Sequence, residues 1–198
     1  MGFDAQLAIG RGREADWRSF LAEQRGLHVV DVAKPSDDAR RGGPRVRVRG
    51  GYLVAPDVLA VDADGKALWF EVKAKSVPSY RYSWEHRGWW HGVDLHHWRH
   101  YLQLAERAPV FLVTCEQMTL PRPGFTPPPA PRLPNGKKDH HDFKKYLVPG
   151  PVWRAISVHK AERMGREQTP WPHDDGSGWL WPLEAMTVMP VEQPPRGG

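Results

Sequence analysis

The spacing of apolar and polar positions changes along this chain, and each change predicts an element. Gly12 to Gln24 carries Ala15, Trp17, Phe20 and Leu21 among charged residues at helical spacing, and Gly26 supplies a stop just past the end. Leu27 to Val32 reads as a short strand. Tyr52 to Lys75 (YLVAPDVLAVDADGKALWFEVKAK) predicts two apolar strands joined by a tight turn. A helix from about Asp94 to Arg107 follows, with Asp94 at its N-cap and a stripe of Leu95, Trp98, Tyr101, Leu102 and Ala105. Pro109 to Cys115 is continuously apolar, as in a strand buried on both faces. Strand, helix and strand in this order predict a βαβ crossover with parallel pairing. Val152 to His159 alternates and predicts a further strand.

The hairpin contains polar residues that an apolar strand pair does not need: Asp57, Glu71 and Lys73. A three-residue loop, Ala63-Asp64-Gly65 with the glycine in the left-handed region, sets Asp62 opposite Lys66 and therefore Asp57 opposite Glu71. Because side chains alternate, Asp57, Glu71 and Lys73 then share one face. A two-residue Asp-Gly loop would shift the pairing by one and part the carboxylates. Two carboxylates suit Mg²⁺, and an ammonium beside them can orient a water or offset transition-state charge. An ordinary Glu–Lys cross-strand pair on an exposed hairpin would leave the same string of residues.

Pro56-Asp57 followed by Glu71-Val72-Lys73 resembles the PD-(D/E)xK motif of the restriction-endonuclease-like nuclease superfamily. The resemblance implies metal ligands at Asp57, Glu71 and the Val72 carbonyl, with Lys73 as the catalytic lysine. The order Gly-x-Glu, helix, glycine, apolar strand resembles the N-terminal part of archaeal-type Holliday junction resolvases, which adds Glu14 as a further ligand. A solvated glutamate in a first helical turn reads equally well there. The family implies an α/β fold: a mixed central sheet flanked by helices, in the order αβββαβ, here with a Pro/Trp-rich C-terminal extension. It also implies a DNA substrate, Mg²⁺ or Mn²⁺ as cofactor, and products with 5′-phosphate and 3′-hydroxyl ends. The junction-resolvase likeness further implies a homodimer. His97 and Tyr101 fall where RecB-type members carry Gln-x-x-x-Tyr, but the glutamine is absent.

Charge extends the picture. The 198 residues carry a net charge of +5, with a pI of about 9.5, which favours a polyanionic partner. Arg45, Arg47 and Arg49 alternate with valines, which predicts three arginines on one strand face as a track for a phosphate backbone. A charge-protected edge strand would look the same. Arg40 and Arg41, beside two glycines, and Lys75 at the hairpin's end are further candidate contacts. Tyr80, Tyr82, Trp84, Trp89 and Trp90 read either as core or as a stacking surface for bases.

The single cysteine, Cys115, excludes a disulfide framework and suggests a reducing, cytoplasmic setting. Apolar runs such as Pro109 to Val113 are too short to cross a bilayer, so no membrane partner is expected. Met118 to Gly136 is proline-rich and predicts no regular structure. The chain thus divides into a nuclease core over 1–117, a Pro-rich loop over 118–136, and an extension over 137–198 packing on the core. Two rival readings remain: a non-catalytic nucleic-acid-binding module on the same fold, and a histidine-based metal hydrolase built on His96 and His100.

Overall fold

The computed structural model describes residues 3–32, 44–49, 51–75, 77–81, 87–132, 134–135, 142–168 and 177–190. Helix α1 (Phe3–Ser19) begins earlier than its apolar spacing suggests and widens to a π turn over Phe20–Gln24. Gly26 ends it in the left-handed region at φ +62°, and the Leu27 N–H donates to the Leu21 carbonyl at 3.0 Å. Twelve strands and two further α-helices follow among the described residues: β1 (His28–Val30), β2 (Arg45–Val48), β3 (Gly51–Val54), β4 (Val58–Val61), β5 (Ala67–Lys75), β6 (Ser79–Arg81), β7 (Gly88–Asp94), α2 (Leu95–Ala105), β8 (Val110–Thr119), β9 (Val148–Ser157), α3 (Val158–Met164), β10 (Arg166–Gln168), β11 (Gly178–Pro182) and β12 (Thr187–Met189).

The central sheet has the order β1-β4-β5-β8-β9-β12. Only β5 and β8 run parallel; the other neighbours are antiparallel, so the sheet is mixed. Along the chain, α1, β1, β4, β5, α2 and β8 come in that sequence, but not as an uninterrupted αβββαβ. The β2–β3 hairpin and the strands β6 and β7 are interposed, and β6 and β7 join β10 and β11 in a second sheet. The segment after residue 137 supplies β9 and β12 to the central sheet.

Alternation along β5 gives the sheet two unlike faces. Phe70 and Val72, with Val58, Ala60, Val113, Cys115 and Trp153, bury against Trp17, Phe20 and Leu21 of α1. Trp17 stacks on Trp153 at 5.5 Å and meets Phe70 edge-on at 5.8 Å. Trp69 faces the other way, into a core with Trp98, Tyr101, Leu112, Ile156 and Trp181. Each such side chain contributes about 1.5–3 kcal/mol on burial.

Two predicted elements end differently. Tyr52 to Val61 is two strands, because Pro56 has no N–H for the ladder and the chain leaves one sheet for another at Ala55-Pro56-Asp57. The predicted strand over Val152 to His159 starts at Val148 and stops at Ser157. There the Ser157 hydroxyl accepts the Lys160 N–H at 3.3 Å and caps α3.

Candidate active site

The turn between β4 and β5 has three residues. The Asp62 N–H donates to the Lys66 carbonyl at 3.1 Å, and the Gly65 N–H to the Asp62 carbonyl at 3.0 Å, with Gly65 at φ +79°. The Asp62 carboxylate accepts the N–H groups of Asp64 and Lys66 at 3.0 and 2.8 Å, which fixes the loop from within. Val58 therefore pairs with Phe70, and one step further the register sets Asp57 opposite Glu71.

Lys73 forms an ion pair with Glu71, whose residue is only 2% exposed, while the Lys73 side chain remains 36% exposed. The ammonium thus closes the outer side of a buried carboxylate. Burial alone would lower the Lys73 pKa, but the charges of Glu71 and then Asp57 outweigh it and hold the pKa above its ordinary value. Asp57 Oδ2 accepts the Val72 N–H at 3.3 Å. The Val72 carbonyl points to the same side as that N–H, and Pro56, next in register opposite it, has no N–H to offer.

Helix α2 supplies the roof. Tyr101 is buried, and its phenol donates to Glu71; burial, then the Glu71 charge, push its pKa far up, so it stays a protonated donor. His97 lies one turn earlier. Burial first and Lys73 second lower its pKa, while Asp94 and Asp57 pull the other way. Asp94 occupies the N-cap position without capping; the Leu95 N–H goes to the Ser177 carbonyl at 2.9 Å, and the Asp94 charge acts on Lys73 and Lys75. Burial and then the neighbouring Lys73 lower the pKa of Lys75.

The other candidates separate. Glu14 pairs with Arg18 at 3.8 Å on α1, the helix that covers the opposite sheet face. Arg45 and Arg47 are exposed on β2; Arg49 is also exposed but lies in the turn after that strand, because β2 stops at Val48 to turn into β3. Arg40 and Arg41 lie outside the described residues, as do Tyr82 and Trp84. Tyr80, Trp89 and Trp90 are core: Tyr80 and Trp89 meet edge to face at 4.9 Å, and Trp89 Nε1 donates to the Phe125 carbonyl at 2.6 Å. They are not available to stack on bases. The rings of His96 and His100 are 4.8 Å apart, yet no third His, Cys, Asp or Glu joins them among the described residues.

A second polar cluster, which the sequence did not reveal, shares the Glu71 face of the sheet. The register aligns Lys73, Thr114 and Arg154 in one row and Lys75, Glu116 and Val152 in the next. Glu116 is 0% exposed. It accepts Arg154 Nε and His91 Nε2 at 2.9 Å each, and the Thr119 hydroxyl at 2.7 Å. Burial raises the Glu116 pKa, but His91, Arg154 and Thr119 together bring it below the ordinary value. Burial lowers the His91 pKa, so the imidazole is neutral and donates its Nε2–H while Arg154 balances the charge.

Among the described residues no three His, Cys, Asp or Glu side chains are gathered into a metal cage. Asp57 and Glu71 nevertheless fit a hard cation that keeps its own waters, since such an ion needs only one or two carboxylates. The Val72 carbonyl, on the residue whose N–H donates to Asp57, is a third oxygen of the right kind.

No family model matches the chain, and no curated protein matches it by sequence. Among solved structures it is similar to Hjc, a Holliday junction resolvase from the archaeal hyperthermophile Archaeoglobus fulgidus. The TM-score is 0.43 and the identity 11%, covering 89% of this chain and 85% of that one. A likeness of that size is too slight to carry a residue's role or an activity from one chain to the other.

Proposed function

We propose that the chain is a metal-dependent DNA nuclease, a phosphodiester hydrolase that acts as a structure-specific, junction-resolvase-like endonuclease. The observation that supports it best is the meeting of Asp57, Glu71 and Lys73 at a half-open edge of the sheet face, in the register the three-residue turn dictates. Asp57, Glu71 and the Val72 carbonyl would hold Mg²⁺ or Mn²⁺, without the Glu14 carboxylate that the family resemblance implied, because α1 covers the other face of the sheet. When bound, such an ion polarises the phosphodiester and acidifies a water.

The chain's own groups do the rest. The Lys73 ammonium, freed from part of its pairing with Glu71, donates to the attacking water and offsets charge on the phosphate. Tyr101 holds Glu71 in one orientation through its phenol. Arg45, Arg47, Arg49 and Lys75 supply contacts to the flanking phosphates, with Arg40 and Arg41 as further candidates. A homodimer cutting paired strands belongs to the same reading. The test is cleavage of labelled linear duplex, single strand, flap, fork and four-way junction with Mg²⁺, Mn²⁺ or EDTA, alongside Lys73→Ala. Metal-dependent cutting of branched DNA, lost in the variant, is the expected result. Tight DNA binding without cutting of any substrate would make the chain a non-catalytic binding module instead.

A further inference from the structure

The β2–β3 hairpin carries an exposed aromatic residue in an arginine setting. Its register pairs Arg47 with Tyr52 and Arg45 with Val54, and the loop between Val48 and Gly51 holds only Arg49 and Gly50. Val46 and Leu53 turn inward to the core. The opposite face therefore presents Arg45, Arg47 and Tyr52 together, with Arg49 at the tip. Tyr52 is 60% exposed, and among the described residues it meets no other ring or cation. Arg45, Arg47 and Arg49 likewise make no ion pair among the described residues. The buried tyrosine and tryptophans of β6 and β7 are packed as core; Tyr52 is not.

The hairpin is also tied to the catalytic edge. Val54 runs through the buried Ala55 and Pro56 directly into Asp57, and the Ala55 N–H donates to the Pro44 carbonyl at 2.7 Å, clamping the hairpin's base. Tyr52 precedes Asp57 by five residues, so their separation is at most about 18 Å, or about five base steps of duplex rise. A tyrosine ring stacks on any base whose face is open, and arginines beside it hold the adjoining phosphates. A base within a continuous duplex has no open face.

We propose that Tyr52 is a stacking platform for an unpaired base close to the scissile phosphate, with Arg45, Arg47 and Arg49 gripping the same strand. This rests on the nuclease reading for the place of the cut, and it narrows the substrate to DNA with unpaired nucleotides within a few steps of that cut.

The experiment is equilibrium binding in EDTA, where no cleavage is read. It uses the full chain, a flap DNA with 2-aminopurine at the first unpaired positions, and a continuous duplex of the same length. Tyr52→Ala is expected to weaken flap binding about ten- to a hundredfold and abolish the 2-aminopurine quench, with duplex binding unchanged. Tyr52→Phe should keep both, because the ring and not the hydroxyl stacks. Arg47→Ala should weaken flap and duplex alike and flatten the salt dependence. Equal loss on flap and duplex in Tyr52→Ala, or no loss on either, overturns the proposal, as does tighter binding of the RNA version of the flap. Cleavage in Mg²⁺, run separately, keeps the two readings apart. Tyr52-dependent flap binding without cutting sinks the nuclease and leaves the platform. Metal-dependent cutting with Tyr52-independent binding does the reverse.

Discussion

Two charged clusters lie on one face of the same sheet, one row apart, and they are built to opposite specifications. Glu116 is sealed from water, with Arg154, His91 and Thr119 spending their donors on its two oxygens. Glu71 is nearly as buried, but its partner Lys73 reaches solvent, and Asp57 lies opposite it in register. A carboxylate sealed from water, with three protein donors shared over its two oxygens, serves to hold the fold together. One closed by a movable ammonium can exchange that partner for a cation and substrate. Saturation and access, not the mere presence of charge, separate the two roles.

The sharpest way to break this contrast is to exchange consequences. Lys73→Ala or Glu71→Gln should lower any metal-dependent cleavage rate by about 10²–10⁴-fold, with a smaller fall in the urea midpoint than Glu116→Ala causes, because the Lys73 side chain is partly exposed. Glu116→Ala should do the opposite, costing about 3–5 kcal/mol of stability because Arg154 is left as an unpaired buried charge. Its cleavage rate per folded molecule should stay within a few-fold. A Glu116 variant that folds normally but cannot cut would merge the clusters into one site.

Tyr101→Phe probes the roof over the open cluster. Losing a donor to a charged group costs about 1.5–3 kcal/mol, so cleavage should fall about ten- to a hundredfold if that bond orients Glu71 in the transition state. An unchanged rate would reduce Tyr101 to packing.

The closed cluster also predicts a direction with pH. The folded pKa of His91 lies below its ordinary 6.5, so its share of stability is present above about that pH and is lost as the unfolded imidazole protonates below it. The folded pKa of Glu116 lies below 4.5, so its share persists above that value and is lost on further acidification. Urea unfolding at pH 8, 6, 5 and 4 should show a decline that begins near 6.5 and steepens below 4.5. His91→Gln should shrink the first stage, leaving the share of His97 and His100, whose pKa values burial also lowers. A flat profile would contradict the assignment of His91 as neutral.

The smallest effect lies between the clusters. Thr114 is 2% exposed, and its hydroxyl has no hydrogen-bond partner among the described residues. Thr114→Val should raise stability by about 1 kcal/mol. A fall would mean that the hydroxyl is satisfied and links the two networks.

How much of this could be read from the chain follows the range of the interactions. The Ala63-Asp64-Gly65 turn is local chemistry, so it announced both the register and the pairing of Asp57 with Glu71. Gly26, α2 and the apolar β8 were legible for the same reason. Pro56 could have signalled that Tyr52 to Val61 is not one strand, and Ser157 that a helix follows. Arg49 reads as part of an alternating strand, but the pairing of Val48 with Gly51 leaves it in the two-residue loop between β2 and β3. The Glu116 cluster joins residues 25 and 38 positions apart, and no short pattern encodes that meeting. Tyr52 was lost among 21 aromatic residues because exposure is a tertiary property. Cys115 is buried, which pushes its thiol up to about 11, so it is inert packing.

The most direct test of the contrast is a calorimetric Mn²⁺ titration of the wild type, Asp57→Ala, Glu71→Gln and Glu116→Gln, all below their unfolding transitions. The account predicts specific binding in the wild type, the same stoichiometry in Glu116→Gln, and loss in both Asp57→Ala and Glu71→Gln. Wild-type binding that survives in Glu71→Gln, or no binding in the wild type, would contradict it.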